Sequence, residues 1–549
     1  MPSRLPTALA PLRHTVYRRL WLAYVITSLG TWLQNTGAGW LMTSLAPSPL
    51  IVAMVQAATI LPAFLLALPG GALADIGDRR RFLIGAQLWT MAAAALLAGL
   101  TLAGLTTASL LLVCTFAIGI GAALTAPAWS AIVPELVPRG DLVGAIALNG
   151  IGFNIARALG PALAGFLVLL GGSGLTFSLF AVSIVAVLWA LFVWRRRPRA
   201  TPGGLPREQL MGAMRAGTRF VRHSPAMRAA MVRIFAYALP ASAPWALLPL
   251  VVRDQLGLGA GMYGLILGLM GGGGVAAGLL LPQITRRLPR GATVLAAGLA
   301  SSAGMALLGV AHHWMVAAVA MAVFGTGWVT SFSVVQAAAQ LVAPPWVRAR
   351  SLAIYQLAYN GALTLGSFGW GFLATRIGLG PALVVAGGCG AALAWSVRGY
   401  SLDQTILRTS PTLPPEPEPE PPAPELAPLL AHGRVLETMT YAVDPARRDE
   451  FLAIMVELRR ARSRAGARAW QLYEDVAHPE GWLEVWSTPS WMDHLREATR
   501  LSPADRAVLA RAASFRRPGT FGHPKRYLAV DPSPPTAERE ARDGSGARP

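Results

Sequence analysis

The segment GALADIGDRRR, Gly71–Arg81, begins where a long apolar run of the chain ends. It contains two carboxylates, Asp75 and Asp78, and then three consecutive arginines. The apolar run before it exceeds the ~20 residues with which a helix crosses a bilayer. Arginines directly after such a run stay on the cytoplasmic side of the membrane. The segment therefore predicts the cytoplasmic end of a transmembrane helix.

The composition of the whole chain is typical of a protein embedded in a membrane. Its 549 residues are 54% hydrophobic and 13% charged, and the mean hydropathy is +0.48. Ordinary soluble domains contain about 25% charged residues. The apolar residues are grouped in blocks, many of which are long enough to span a bilayer as a helix. We therefore predict an all-α polytopic membrane protein with 12 transmembrane helices.

The net charge of +20 is concentrated in short loops between the apolar blocks. Arg286 and Arg287 lie on the same predicted side of the membrane as Arg79–Arg81. The loops on the other side of the first half contain no basic residue. This asymmetry follows the positive-inside rule and predicts a multi-pass protein of the inner membrane with cytoplasmic N- and C-termini. The lipid bilayer is therefore the expected partner of this basic chain, and nucleic acid is not.

The predicted spans form two halves that resemble each other. At a constant offset of 206 residues, Asn154 matches Asn360, and the Arg-Arg pair at 80–81 matches the pair at 286–287. Matched glycines carry little weight in so glycine-rich a chain, but matched asparagine and arginine pairs are uncommon. Internal repeats of this kind are typical of secondary transporters. The pattern predicts two pseudo-symmetric six-helix bundles.

Changes in composition mark the predicted domain boundaries. A basic, polar stretch separates the two halves, and a run of prolines and glutamates follows the last span. Such a run favours an extended polyproline spacer and cannot form a core. The predicted segments are an N-terminal six-helix bundle at 1–194, a cytoplasmic central loop at 195–228, a C-terminal six-helix bundle at 229–400, a Pro/Glu-rich linker at 401–431, a soluble α+β domain at 432–531 and a disordered tail at 532–549.

The segment after the linker has the pattern of a small soluble domain. The stretches VLETMTYAV at 435–443 and GWLEVWST at 481–488 are rich in residues that favour strands. Between them, Phe451 and Leu458 belong to an apolar stripe with helical spacing. The complete order of strand, helix, strand, strand, helix and strand predicts a small ferredoxin-like α+β domain.

The opening segment resembles the loop signature between the second and third spans of the major facilitator superfamily (MFS), in its enterobactin-exporter-like (transmembrane secretion effector) branch. The segments 134–165, 247–264 and 346–371 resemble the same branch, and the resemblance covers about residues 10–400. It implies an MFS fold and proton-coupled export of a small amphipathic molecule, such as a siderophore or drug, by alternating access. The soluble domain resembles the antibiotic-biosynthesis-monooxygenase-like domains of some members.

A polar patch inside the fifth predicted span is the first candidate for a binding site. Arg157 and Asn154 are three residues apart, which places them on one side of a helix. An arginine at this depth costs at least ~2.5–3.5 kcal/mol on insertion scales unless it faces water or a partner. A structural hydrogen bond to a neighbouring helix is the alternative, but we favour a cavity that attracts anionic or phenolate groups. The predicted substrate-binding residues are Asn35, Asn154, Arg157, Gln336 and Asn360.

The opening segment also supplies a candidate gate. Asp75 could pair with a positive group or a helix N-terminus in one conformation only, whereas a simple topogenic anchor is the alternative. Ile76 stands where the resembling branch has an arginine, so such a latch would have one partner fewer. The resemblance also implies a Gly-Pro motif in the fifth span of exporters, for which an ordinary packing kink is the alternative. The predicted gating residues are Asp75, Asp78, Arg79, Arg80, Arg81, Gly160 and Pro161.

No cofactor, metal site or catalytic residue is predicted, and the chain is interpreted as a transporter rather than an enzyme. No carboxylate lies in the middle of a predicted span, so the proton as coupling ion rests on the resemblance alone. His494, three residues after Trp491, is interpreted as structural. Three alternatives stay open: an importer of the same fold, a fused oxygenase-like enzyme, and a C-terminal domain that dimerises or regulates, which is favoured over catalysis.

Overall fold

The computed structural model describes residues 7–46, 48–76, 78–194, 210–344, 346–402, 433–515 and 524–529. The chain divides into two compact units. The first, here called the helical unit, comprises 1–204, 225–343 and 348–404. The second, here called the C-terminal unit, comprises 205–224, 344–347 and 405–549.

Long helices make up almost all of the described part of the helical unit. In chain order the first twelve helices are α1 Thr15–Leu45, α2 Pro49–Ile76, α3 Arg79–Leu102, α4 Ala108–Leu136, α5 Leu142–Val193, α6 Leu210–His223, α7 Pro225–Leu250, α8 Ala260–Arg287, α9 Arg290–Gly309, α10 Trp314–Val342, α11 Arg348–Ile377 and α12 Leu379–Ser396. Of these, α6 belongs to the C-terminal unit. A π-helical turn, Val251–Gln255, extends α7.

The helix α5 consists of two helical segments joined at a break. Its 52 residues contain non-helical backbone angles at Gly171 and Gly172. Gly172 has a φ of +67°, a conformation that glycine adopts without the steric penalty of a side chain. The break lies between the predicted fifth and sixth spans, so the turn that was expected there is built from these two glycines.

The helices have the length and surface expected of membrane spans. Within the described residues, nine helices are long and apolar enough to cross a membrane, with α5 counted once. Large apolar side chains also lie on the outside of the unit; Leu279 is 74% exposed and Leu170 is 66% exposed. In water such a surface would be costly, whereas in lipid it is matched by the acyl chains. The prediction of a mostly helical membrane protein is confirmed, while the number of 12 spans stays a prediction.

The two halves of the helical unit are joined by close helix contacts. Helix α5 of the first half packs on α8 of the second, where a Cβ atom added to Gly264 would lie 2.8 Å from the Cα atom of Gly165. Small residues allow two backbones to approach this closely, and they dominate helix contacts in membranes. At the ends of α1 and α7, Arg253 Nη1 donates a hydrogen bond to Thr43 Oγ1 at 2.9 Å. Thr43 lies at the α1–α2 connection, whereas Arg79 begins α3 beyond the other end of α2.

The C-terminal unit contains a four-stranded antiparallel sheet. Its strands are β1 Val435–Ala442, β2 Ala469–Glu474, β3 Gly481–Thr488 and β4 Lys525–Leu528, in the spatial order β2-β3-β1-β4. Three helices accompany them, α13 Arg448–Ala465, α14 Trp491–Arg500 and α15 Pro503–Ala513. Alternate residues of β1 are buried, and Met439 and Tyr441 pack with Phe451 and Trp486 in one apolar core.

The C-terminal unit differs from the predicted soluble domain in two respects. Where one helix was expected after β3, the chain forms α14 and α15, because Ser502 caps a new helix start in a capping box with Asp505. In addition, α6 and residues 344–347 belong to this unit, although the prediction assigned them to a central loop and to the second bundle. The predicted linker and tail lie almost wholly outside the described residues.

Aromatic and polar contacts hold these three parts of the C-terminal unit together. Phe220 of α6 meets Trp346 edge to face at 6.2 Å between ring centroids. The indole Nε1 of Trp346 donates to the backbone oxygen of Arg500 at 2.9 Å. Arg464 of α13 donates to the backbone oxygen of His223 at 3.2 Å. The start of α7 at Pro225 therefore lies directly after a segment that is tied to the sheet domain.

Candidate functional site

A central cavity of about 360 Å³ lies between the two halves of the helical unit. Side chains of α1, α2 and α5 line it from the first half, and side chains of α7, α8, α10 and α11 line it from the second. The lining residues are Trp32, Asn35, Thr36, Gln56, Thr59, Ile60, Phe153, Arg157, Pro244, Trp245, Leu248, Tyr263, Leu267, Met321, Trp328, Phe332, Tyr359, Asn360 and Leu363. The size is that of a small-molecule site.

Aromatic rings form much of the cavity wall. Trp245 stands edge-on to Trp328, with ring centroids 5.4 Å apart. Trp32 of the first half reaches Trp245 of the second at 6.1 Å, so the aromatic wall crosses from one half to the other. Phe332 and Tyr359 are 5.1 Å apart. Such rings give a planar ligand large apolar contact at little cost in side-chain entropy.

Arg157 of α5 is a charged residue in the described lining of the cavity. No aspartate or glutamate is among the described residues that line the cavity. The Arg157 guanidinium reaches toward α8, where a Cβ atom added to Gly274 would lie 3.2 Å from its Nη2 atom. The absence of a side chain at Gly274 therefore leaves the space that this arginine occupies. A guanidinium without a facing carboxylate offers its donors and its positive charge to a bound anion.

Two buried polar atoms of the cavity lining have no hydrogen-bond partner in the part of the chain that the structure describes. The Nε1 atom of Trp245 and the Oγ1 atom of Thr36 are buried and make no hydrogen bond with the described residues. Buried polar groups are nearly always hydrogen-bonded, because an unpaired one costs about 1–3 kcal/mol. These two groups and the amides of Asn35, Gln56 and Asn360 therefore suit a ligand or water molecules that carry both donors and acceptors.

The predicted substrate-binding residues fall into two groups. Asn35, Arg157 and Asn360 line the cavity. Asn154 is exposed, and its Nδ2 atom donates to the backbone oxygen of Gly150 at 2.9 Å. Gln336 is half-buried on α10, and neither it nor Asn154 is among the lining residues described. Their roles stay predictions.

The predicted gating residues lie in two places. Asp78 caps α3 by accepting from the backbone of Arg80, and Arg79 forms an ion pair with Glu135 at 3.0 Å. Arg80 donates to the backbone oxygens of Leu191 and Phe192 at the end of α5. These contacts join the α2–α3 connection to the other helices of the first half. Asp75 lies in α2, with its side chain outside the described part, and Arg81 is exposed.

Gly160 and Pro161 lie where α5 meets α1 and α8. A Cβ atom at Gly160 would lie 3.0 Å from Cγ of Trp32, so this glycine makes room for an indole that lines the cavity. The backbone oxygen of Pro161 faces Gly264 of α8. Both residues thus lie at contacts on which the position of α5 depends, and their role in gating stays a prediction.

Sequence reasoning missed several lining residues, of which Tyr359 is the most informative. The internal repeat contained the signal for it, because Phe153 and Tyr359 match at the same 206-residue offset as Asn154 and Asn360. Phe153 and Tyr359 both line the cavity. Trp245 and Phe332 have no such matched partner, and their placement depends on how the helices pack.

Comparison with known proteins agrees with this architecture. A family model described as transmembrane secretion effector matches residues 6–531. The staphyloferrin A transporter of Staphylococcus aureus (strain NCTC 8325 / PS 47) is 24% identical over 290 residues, which are 52% of this chain and 71% of that protein. The enterobactin exporter EntS of Escherichia coli O1:K1 / APEC is 25% identical over 215 residues, which are 39% of this chain and 50% of that protein.

Solved transporters share the fold of the helical part. A bacterial homologue of the human lysosomal transporter Spinster, in an inward-facing and unoccupied conformation, has a TM-score of 0.56 at 15% identity and covers 71% of this chain and 98% of its own. A D-xylose-proton symporter has a TM-score of 0.55 at 16% identity and covers 70% of this chain and 97% of its own. At such identities the likeness concerns the fold alone.

Proposed function

This chain belongs to the transmembrane secretion effector family of MFS transporters, and from that premise we propose that it exports a small amphipathic organic anion. Export proceeds across the inner membrane by alternating access, with proton coupling. The helical unit has 12 spans in two six-helix bundles, and the Arg79–Arg81 side faces the cytoplasm. The names of the relatives support both substrate class and direction, because one is an enterobactin exporter and another a staphyloferrin A transporter.

The observation that carries this proposal is the chemistry of the central cavity. One arginine, several amides and a wall of indole and phenol rings surround a space of about 360 Å³. A planar group with a carboxylate, a phenolate or several oxygen acceptors matches this combination. The cavity lies between two repeats of similar sequence, which is where secondary transporters bind substrate. Rocking of the halves about this cavity would expose it to each side in turn.

The C-terminal domain has a supporting role in this proposal. Its strand order and its alternation of strands and helices support a ferredoxin-like fold. We assign it regulation or dimerisation rather than oxidation of the substrate, because it shares a compact unit with α6 and residues 344–347, which directly precede the helices α7 and α11. The transport function does not depend on this assignment.

The test of the binding role replaces Arg157. A strain that lacks the transporter is complemented with the wild-type chain, with Arg157→Ala or with Arg376→Ala, and metabolites in the medium are compared. Arg376 is an exposed arginine of α11 and serves as the matched control. We expect one or more anionic metabolites to be restored by the wild type and by Arg376→Ala, and to remain at the level of the deletion strain with Arg157→Ala. Full restoration by Arg157→Ala, with equal protein in the membrane, would contradict the proposal.

The direction of transport is tested separately. Everted membrane vesicles and intact cells are supplied with the metabolite identified above, labelled with a stable isotope. An exporter accumulates it in everted vesicles, and a protonophore abolishes this accumulation if protons drive it. Accumulation in intact cells alone would identify an importer of the same fold.

A further inference from the structure

The C-terminal unit contains a second polar cluster that transport does not use. Glu437 lies on β1, and His494 and Glu497 lie one helical turn apart on α14. The three residues are at most 8% exposed. Each offers one potential ligand atom, and these atoms lie within 4.8 Å of one another. His494 Nδ1 is 2.9 Å from Glu437 Oε1.

The cluster holds more buried negative charge than the neighbouring cations balance. The Arg462 guanidinium lies 3.1 Å from Glu497 and 3.3 Å from Glu484, so two carboxylates share it. Within the described residues, these contacts join three carboxylates, one guanidinium and one imidazole, and Arg526 stands opposite Glu437 in the sheet register. An uncompensated buried charge costs several kcal/mol, so the cluster favours an additional cation.

We propose that Glu437, His494 and Glu497 bind a divalent transition-metal ion. With a neutral imidazole, the three carboxylates outnumber the guanidinium groups of Arg462 and Arg526, so a cation is favoured there. One nitrogen and two oxygen ligands suit Zn²⁺, Mn²⁺ or Fe²⁺. The bound ion would join α14 to the sheet, because its ligands come from both elements. This inference concerns the C-terminal unit alone and does not depend on the proposed export.

The ligand spacing is close to what a metal requires. In a tetrahedral site with bonds of about 2.1 Å, neighbouring ligand atoms are about 3.4 Å apart. The separation of 2.9 Å between Glu437 and His494 therefore has to widen slightly. The remaining separations, at most 4.8 Å, have to shorten by at most about 1.4 Å. Rotation of long glutamate side chains provides such a movement without a change in the backbone.

The test uses the full-length chain, purified in detergent, freed of metal and without an affinity tag. Isothermal titration with Zn²⁺ is expected to give one saturable site per chain. We expect His494→Asn and Glu497→Gln to weaken Zn²⁺ binding at least tenfold. His478→Asn is the matched control, because the side chain of His478 is 72% exposed, and it should bind like the wild type. Circular dichroism verifies that the variants are folded.

A second measurement needs no variant. Co²⁺ added to the metal-free wild-type chain should give visible d–d absorption bands of a low-symmetry site, and Zn²⁺ should displace them at one equivalent. The inference is overturned if the wild type shows no saturable Zn²⁺ site, if the Co²⁺ bands are absent, if folded His494→Asn and Glu497→Gln bind as the wild type does, or if His478→Asn loses binding to the same extent.

Discussion

Arg462, which is buried, and Arg157, which is half-buried, have opposite surroundings. Arg462 contacts Glu484 and Glu497, and its guanidinium lies 3.8 Å from the ring centroid of Trp486. Arg157 lines a cavity whose described lining contains no carboxylate. The charge of Arg462 is therefore neutralised within the fold, and that of Arg157 is available to a ligand. The same residue type thus has ion-pair partners in one unit and a proposed binding role in the other.

The neutralising role of Arg462 leads to a stability prediction. Arg462→Met leaves two buried carboxylates without their guanidinium, and breaking a buried ion pair in this way costs about 3–5 kcal/mol. We expect faster hydrogen–deuterium exchange of the β3 and α13 amides in the full-length chain. Arg460→Met is the control, because Arg460 is exposed on the same helix, and it should change exchange little. Equal exchange in both variants would contradict the role assigned to Arg462.

The residues that line the cavity show how far sequence reasoning reaches at the residue scale. Arg157 was identifiable because a charge inside an apolar span is costly, and Asn360 because the internal repeat marks it. The three-residue spacing between Asn154 and Arg157 does not place Asn154 in the cavity lining. Phe153, four residues before Arg157, shares the cavity with it instead. The side of a helix that faces the cavity depends on the neighbouring helices, and the spacing alone does not contain this information.

At the scale of elements, the contact between α5 and α8 joins the two halves. Gly165 and Gly264 let the backbones approach so closely that an added Cβ atom on Gly264 would lie 2.8 Å from the opposite Cα. A Cβ atom added to Gly271 would likewise lie 2.9 Å from the Cα atom of Ala158. This contact also positions Arg157 against Gly274. The glycines of α8 therefore shape the proposed binding site, although they contribute no side chain to it.

A larger side chain in this contact should separate the two helices. We expect Gly264→Val to destabilise the protein by about 1–3 kcal/mol, because extra volume in a packed contact forces the backbone to move. A lower Tm of the purified protein in detergent would show it. Gly272→Val is the control, because no described atom outside its own turn of the helix lies within 4 Å of a Cβ added at Gly272. A similar Tm for both variants would show that the contact tolerates separation.

At the scale of the whole molecule, the sequence predicted the membrane class and the two halves from hydropathy, charge asymmetry and the internal repeat. It did not predict that α6 and residues 344–347 share a compact unit with the sheet domain. Contacts such as Phe220 with Trp346 join residues far apart in the chain, and no local pattern marks them. The predicted domain boundaries followed composition, which does not report such contacts.

Trp346 is the residue on which this arrangement can be tested. Trp346→Ala removes the hydrogen bond to the backbone oxygen of Arg500 and the ring contact with Phe220, and we expect a loss of about 1–3 kcal/mol. Hydrogen–deuterium exchange should become faster in α6 and α14. Trp395→Ala, at a position that is 55% exposed, is the control and should leave exchange in α6 unchanged. Unchanged exchange in both variants would mean that Trp346 does not hold the unit together.

The C-terminal unit is built from three separate segments of the chain, and this has a practical consequence. Its parts come from 205–224, from 344–347 and from the residues after 404, with membrane helices between them. No continuous fragment that omits those helices contains the entire unit. A chain cut near residue 402 would leave Phe220 and Trp346 without the surface that they normally cover, and the excised sheet domain would present the complementary bare patch. Attempts to study either piece alone should therefore anticipate aggregation at that patch.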